Sequence, residues 1–97
     1  MNKRLSATLL ALALVTTPAL AGPPTEAQKA QFYKTCMGIA QDDTLCSCKR
    51  DATTRLIDEQ FMEIVVAAMQ GKTPPDSAAV PYNDYIARSN QICKPGY

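Results

Sequence analysis

The chain has 97 residues, with ten Lys and Arg, nine Asp and Glu and no histidine, so its formal net charge is only +1. A charge balance this close to neutral excludes the overall basic field that attracts nucleic acid. The lack of histidine excludes haem attachment through a Cys-x-x-Cys-His motif and weakens the case for a zinc site.

The first 21 residues have the layout of a cleaved secretory signal. Two basic residues near the start precede an apolar run from Leu9 to Val15 and a small-x-small ending at Ala19 to Ala21. The apolar run is shorter than the roughly 20 residues that a membrane-spanning helix needs. We therefore predict a signal peptide over residues 1–21, no membrane span, and a periplasmic protein formed by residues 22–97 as a single domain.

The exported part is too short to depend on its core alone. Removing Lys3 and Arg4 with the leader leaves 76 residues with eight basic and nine acidic side chains, a net charge of −1. A domain of about this size buries only about 60% of the surface that its unfolded chain exposes. The four cysteines all lie in this part, and we expect them to form disulfides in an oxidising compartment.

Three helices are predicted in the first part of the domain. Thr25 and Gln28 have the spacing of a capping box, which predicts a helix start. A tight polar turn separates this helix from a second one, which begins at Asp43 or Thr44. The third is capped by Asp58, because acidic residues crowd its first turn, and it stops at a glycine.

A long connection and a fourth helix complete the predicted fold. Residues 71–81 contain three prolines and a glycine, with a single turn at Asp76 to Val80. Pro81 suits the first turn of the fourth helix, which should end near Cys93. Its apolar face is formed by Tyr82, Tyr85, Ile86 and Ile92. The fold class is thus an all-α, disulfide-stabilised bundle of four short helices.

The cysteine spacing favours two structural bridges. If the first two helices form an antiparallel hairpin centred on Asp42, Cys36 and Cys48 are equidistant from the centre, which leaves Cys46 for Cys93. A one-turn shift of the hairpin would instead pair Cys36 with Cys46 and Cys48 with Cys93, and spacing does not decide between the two. A bridge from Cys46 to Cys48 is disfavoured, since these side chains point about 200° apart on a helix.

Two other uses of the cysteines define the alternative function. Cys46 and Cys48 could exchange disulfides, because Cys46 lies in the first turn of a helix and two basic residues follow the pair. Four thiolates could also bind copper or zinc. The Cys-x-x-Cys spacing of redox proteins is missing, and an oxidising compartment disfavours free thiols. We therefore expect no metal and no cofactor.

The acidic residues and the third helix favour a binding protein over an enzyme. The acidic residues cluster at helix starts, where capping explains them, and we expect no catalytic residue. On the third helix one apolar row is formed by Phe61, Ile64, Val65 and Ala68. Met62, Val66 and Met69 form a second apolar row beside it, which is either core or a partner-binding surface. Lys49 and Arg50 could form its cationic rim. The predicted function is an interaction module, such as an inhibitor, an immunity-type protein or an accessory subunit, with an envelope protein as partner.

The stretch from Phe32 to Gln70 resembles small exported proteobacterial proteins of unassigned function. The shared features are a cysteine on a first helix, a Cys-x-Cys after a short turn, and an acid-capped helix with an aromatic residue in its first turn. The resemblance covers about half of the exported part. It implies a helical, disulfide-bonded fold and no particular activity.

Overall fold

The computed structural model describes residues 22–94, which contain four α-helices and a short 3-10 turn. No strand occurs within this range. The helices are α1 (Glu26–Ala40), α2 (Asp43–Leu56), α3 (Glu59–Met69) and α4 (Ala79–Ile92), and the 3-10 turn (Asp76–Ala78) leads directly into α4. The predicted all-α fold class is confirmed. The predicted signal peptide lies outside the described residues.

Side chains cap the first three helices. At α1, the Thr25 hydroxyl accepts a hydrogen bond from the Gln28 amide at 3.1 Å, and the Gln28 side chain accepts one from the Thr25 amide at 3.0 Å. The predicted capping box is therefore complete. Asp42 and Asp58 cap α2 and α3, each accepting a backbone N–H three residues later, at 3.0 and 2.7 Å. Each cap satisfies an amide that the helix itself leaves unpaired.

Backbone geometry explains where the helices stop and restart. Gln41 follows α1 in the left-handed region with φ 54°, and Gly71 follows α3 with φ 97°, a conformation that glycine adopts without steric cost. Helix α4 begins at Ala79, so Pro81 lies in its first turn as predicted. Proline is tolerated there because the first amides of a helix have no intrahelical partner.

Helix α2 lies between the other parts of the bundle. Helix α1 packs against α2 and α3, whereas α4 packs against α2 and the 3-10 turn. The main core cluster joins residues from all four helices, and these buried residues are Phe32, Cys36, Cys46, Met62, Val65, Val66 and Tyr85. A smaller cluster, formed by Leu45, Ala52 and Cys93, lies where α2 meets the end of α4. None of the helices in residues 22–94 is long and apolar enough to cross a membrane.

The second apolar row of α3 is mostly core. Met62 is fully buried and Val66 is 7% exposed, and both belong to the main core cluster. These two side chains therefore do not form the partner-binding surface that the sequence left open. Met69 is half-buried and packs at the edge of the cluster.

On α4 the predicted apolar face is wrong at Ile92, which is 41% exposed. This last helical residue lies beside the first turn of α2, which leaves much of its side chain in contact with solvent.

The two disulfides join Cys36 to Cys46 and Cys48 to Cys93, each with a Cα–Cα distance of 5.7 Å. The preferred pairing of Cys36 with Cys48 is wrong, and the alternative pairing is present. The face of α2 that includes Cys48 packs in the cluster with Cys93, toward α4 rather than α1. Cys46 lies about 200° further around the helix and meets α1 instead.

Candidate binding groove

An apolar groove of about 190 Å³ lies where the four helices meet, and it is open on one side. We call it the apolar groove. Its deep part is lined by buried side chains, namely Phe32, Cys36, Leu45, Val65 and Tyr85. Its rim is lined by half-buried or exposed ones, namely Ile39, Ala40, Lys49, Met69, Tyr82 and Ile86. Ile39 is 63% exposed, so the mouth of the groove presents apolar surface to solvent.

Helical periodicity brings these residues to one place. Residues three or four apart lie on the same helix face, and every helix contributes at least one such pair to the groove: Phe32 and Cys36 on α1, Leu45 and Lys49 on α2, Val65 and Met69 on α3, Tyr82 and Tyr85 on α4. The space remains because α4 packs its backbone against α2 and not closely against α1 or α3. The groove is therefore the gap between the α1–α3 pair and α4.

Lys49 is the only charged side chain among the described residues that line the groove. Its ammonium donates a hydrogen bond to Asn90 Oδ1 on α4 at 2.5 Å. No carboxylate within residues 22–94 forms an ion pair with it. Burial lowers the pKa of this ammonium, because the surrounding apolar atoms solvate the charged form poorly. The groove thus combines apolar walls with one positive charge that no carboxylate of the described part of the chain compensates.

Arg50, the second predicted rim cation, belongs to a different surface. Its guanidinium lies 5.3 Å from the centroid of the Tyr33 ring and forms an ion pair with Asp51 at 2.9 Å. The Tyr33 hydroxyl donates to Asp43 Oδ1, and this hydrogen bond raises the pKa of the Tyr33 phenol. The hydrogen bond that the Arg50 guanidinium donates to the Asp51 carboxylate likewise raises the pKa of Arg50. Arg50 is therefore already engaged, and it does not line the groove.

The Cys-x-Cys pair forms part of the framework. All four cysteines are in disulfides. Cys46 is fully buried and Cys36 is 6% exposed, so the first bridge is closed to another protein, while Cys48 is half-buried. Within residues 22–94 no group of three or more His, Cys, Asp or Glu side chains could hold a metal ion. Cys36 nevertheless contributes to the groove, because it lines the deep part.

The structure thus assembles only part of the predicted partner-binding set. Of the five predicted residues, Met69 and Lys49 line the groove, while Met62, Val66 and Arg50 do not. The sequence predicts Tyr82 and Ile86 on an apolar helix face but in no binding site. The signal in the sequence that could have indicated the groove is Lys49, a cation four residues after Leu45 and therefore on the same face of α2 as that apolar residue.

Comparison of the chain with models of known protein families, with curated protein sequences and with solved structures finds no match.

Proposed function

We propose that the mature protein is a periplasmic binding module that takes one apolar side chain of a partner protein into the apolar groove. The observation that supports this most is the unfilled apolar space at the meeting point of four helices. The recess measures about 190 Å³, opens to solvent, and is lined almost entirely by apolar side chains from all four helices. Such a concave apolar surface with one polar group at its rim is the usual form of a binding site.

The size of the groove favours a side chain over a complete small molecule. Sites for drug-sized ligands usually measure about 300–1,000 Å³, whereas an engineered apolar cavity of about 150 Å³ holds benzene. A volume of about 190 Å³ suits one aromatic or branched aliphatic group. Because the groove is open on one side, the rest of the ligand would remain outside, as it does when a polypeptide inserts one residue.

Two further features agree with action outside the cytoplasm. The two disulfides suit an oxidising compartment, and the layout of residues 1–21 is typical of an export signal. An envelope protein is the corresponding class of partner.

The experiment uses an uncharged side-chain mimic, N-acetyl-phenylalanine amide, titrated into the purified, oxidised protein formed by residues 22–97. Methyl resonances of Met69 and Ile86 should shift with dissociation constants on the order of millimolar, as expected for one apolar group. Ala40→Phe, which fills the groove from its rim, should abolish the shifts. Ala87→Phe is the matched control, because Ala87 is exposed on α4 and does not line the groove.

Two results would contradict the proposal. One is that the amide shifts no groove resonance in the wild-type protein. The other is that Ala40→Phe, with an unchanged circular-dichroism spectrum, binds the amide as well as the Ala87→Phe control does. If Ala40→Phe does not fold, Ile39→Asn replaces it, since Ile39 is 63% exposed and its substitution leaves the core intact.

A further inference from the structure

We infer that the partner segment places a carboxylate beside the apolar side chain in the groove, and that Lys49 binds this carboxylate. This inference rests on the proposed function and specifies the chemistry of the partner. The site that it assigns has two parts, the apolar walls and the Lys49 ammonium at the rim.

Lys49 has unused hydrogen-bonding capacity at the groove. An ammonium has three N–H donors, and the structure gives one of them a partner, the neutral Asn90 amide oxygen. Three ion pairs occur in residues 22–94, and each joins side chains that are close in sequence. None of them includes Lys49. Among the residues that the structure describes, the positive charge is therefore uncompensated, and it would attract an external anion.

The position of Lys49 makes an anion more favourable there than at an ordinary surface lysine. The side chain is half-buried, and it lies four residues after the buried Leu45 on the same face of α2. A ligand group that covers the groove removes more water from the ammonium. An unpaired charge in such a place is costly, and a carboxylate at hydrogen-bonding distance offsets that cost with a charge-assisted hydrogen bond.

The carboxylate has to be attached close to the apolar group. The groove is short, about the volume of one side chain, and Lys49 lines it directly together with Tyr82 and Tyr85. A C-terminal apolar residue meets this requirement, because its carboxylate is bonded to the same Cα as its side chain. An internal apolar residue followed by Asp or Glu meets it less closely. A polypeptide is favoured over a fatty acid because a long alkyl chain would exceed the groove.

The test compares four probes in the oxidised protein. They are N-acetyl-phenylalanine with its free carboxylate, its neutral amide, the blocked dipeptide N-acetyl-Phe-Asp-amide, and octanoate. The free carboxylate should bind about tenfold more tightly than the amide, the gain expected for one charge-assisted hydrogen bond. This preference should disappear in Lys49→Gln and persist in Lys34→Gln, a matched control on the exposed side of α1.

A second variant tests the charge without removing the lysine. Asn90→Asp places a carboxylate on the group that already accepts a hydrogen bond from Lys49. It should abolish the preference for the free carboxylate and leave the affinity for the amide unchanged. Because Asn90 is exposed, this variant should fold even if Lys49→Gln does not.

The outcomes distinguish a failure of the Lys49 role from a failure of the groove itself. If the amide binds but the free carboxylate gains nothing, the groove function stands and the role of Lys49 is refuted. If no probe binds, both fall. A preference that survives in both Lys49→Gln and Asn90→Asp overturns the inference, as does octanoate binding more tightly than every peptide probe, which would indicate a fatty acid. If either acidic peptide probe binds more tightly than the neutral amide, the inference is supported. The dipeptide as the tighter of the two indicates an internal acidic residue, and N-acetyl-phenylalanine as the tighter indicates a chain terminus.

Discussion

Replacing Cys48 and Cys93 together with alanine should remove a large part of the stability of this domain. The bridge joins residues 45 apart in sequence, and the loop-closure relation assigns such a cross-link about 4 kcal/mol. At about 0.05–0.15 kcal/mol per residue, residues 22–94 should have a total free energy of unfolding of about 4–11 kcal/mol. The variant should therefore be marginally folded or unfolded, with α4 the first helix to detach.

The assay is urea unfolding followed by far-ultraviolet circular dichroism. We expect the midpoint to fall and the dependence on urea to steepen, because the unfolded chain without the cross-link exposes more surface. Ile92→Ala is the control, since Ile92 is adjacent in sequence and 41% exposed, and it should change the free energy of unfolding by less than about 0.5 kcal/mol. A loss of less than about 1 kcal/mol in the double variant would refute the reasoning, because noncovalent packing would then be sufficient to hold α4.

Three other predictions follow from burial and capping. Val66→Asp should prevent folding, since the side chain is 7% exposed and its carboxylate would be buried without a partner; a native circular-dichroism spectrum would contradict this. Asp58→Ala should lower the free energy of unfolding by about 1 kcal/mol by removing the α3 cap, whereas Asp76→Ala, at a 3-10 turn without a side-chain cap, should change it little in the same urea titration. Burial raises the pKa of the Tyr85 phenol, so the unfolded chain loses this proton first and stability should fall as the pH rises above about 10. Tyr85→Phe should make that decline shallower, and an unchanged slope would show that Tyr85 does not contribute to it.

The helices could be predicted from the sequence because the signals that start and stop them are local. Thr25 with Gln28, and Asp58 with the amide three residues later, form their hydrogen bonds within one turn. Gly71 adopts the positive φ that ends α3 and needs no tertiary contact to do so. Such features depend on spacing along the chain, which the sequence states directly.

The disulfide pairing could not be predicted because it depends on which face of α2 meets α1. On α2 the spacing of Leu45, Cys48 and Ala52 places them on one face, and in the structure this face packs toward Cys93. A hairpin symmetric about Asp42 would require α2 to be rotated so that Cys48 faces α1. With cysteines only two residues apart, such a rotation of the helix exchanges their partners.

The groove escaped prediction for a related reason. A periodic pattern identifies apolar positions but does not show whether neighbouring helices fill the space between them. Met62 and Met69 are equivalent by pattern, seven residues apart on one row of α3, yet Met62 is fully buried and Met69 lines an open space. Which of the two positions the other helices cover is a property of the assembled bundle and not of the pattern on α3.

Both disulfides hold elements that form the groove. The stabilisation expected from a bound ligand can therefore be compared with that from a bridge. Cys36, from the first bridge, lines the groove wall on α1. The second bridge, from Cys48 to Cys93, holds the end of α4. Cys93 lies three residues after Asn90, which accepts a hydrogen bond from Lys49. A ligand at a hundred times its dissociation constant adds about 2.7 kcal/mol to stability, whereas the bridge between Cys48 and Cys93 contributes about 4 kcal/mol. At that concentration a ligand in the groove would therefore offset only part of the stability lost with this bridge, and we expect weaker ligand binding by the reduced chain than by the oxidised one.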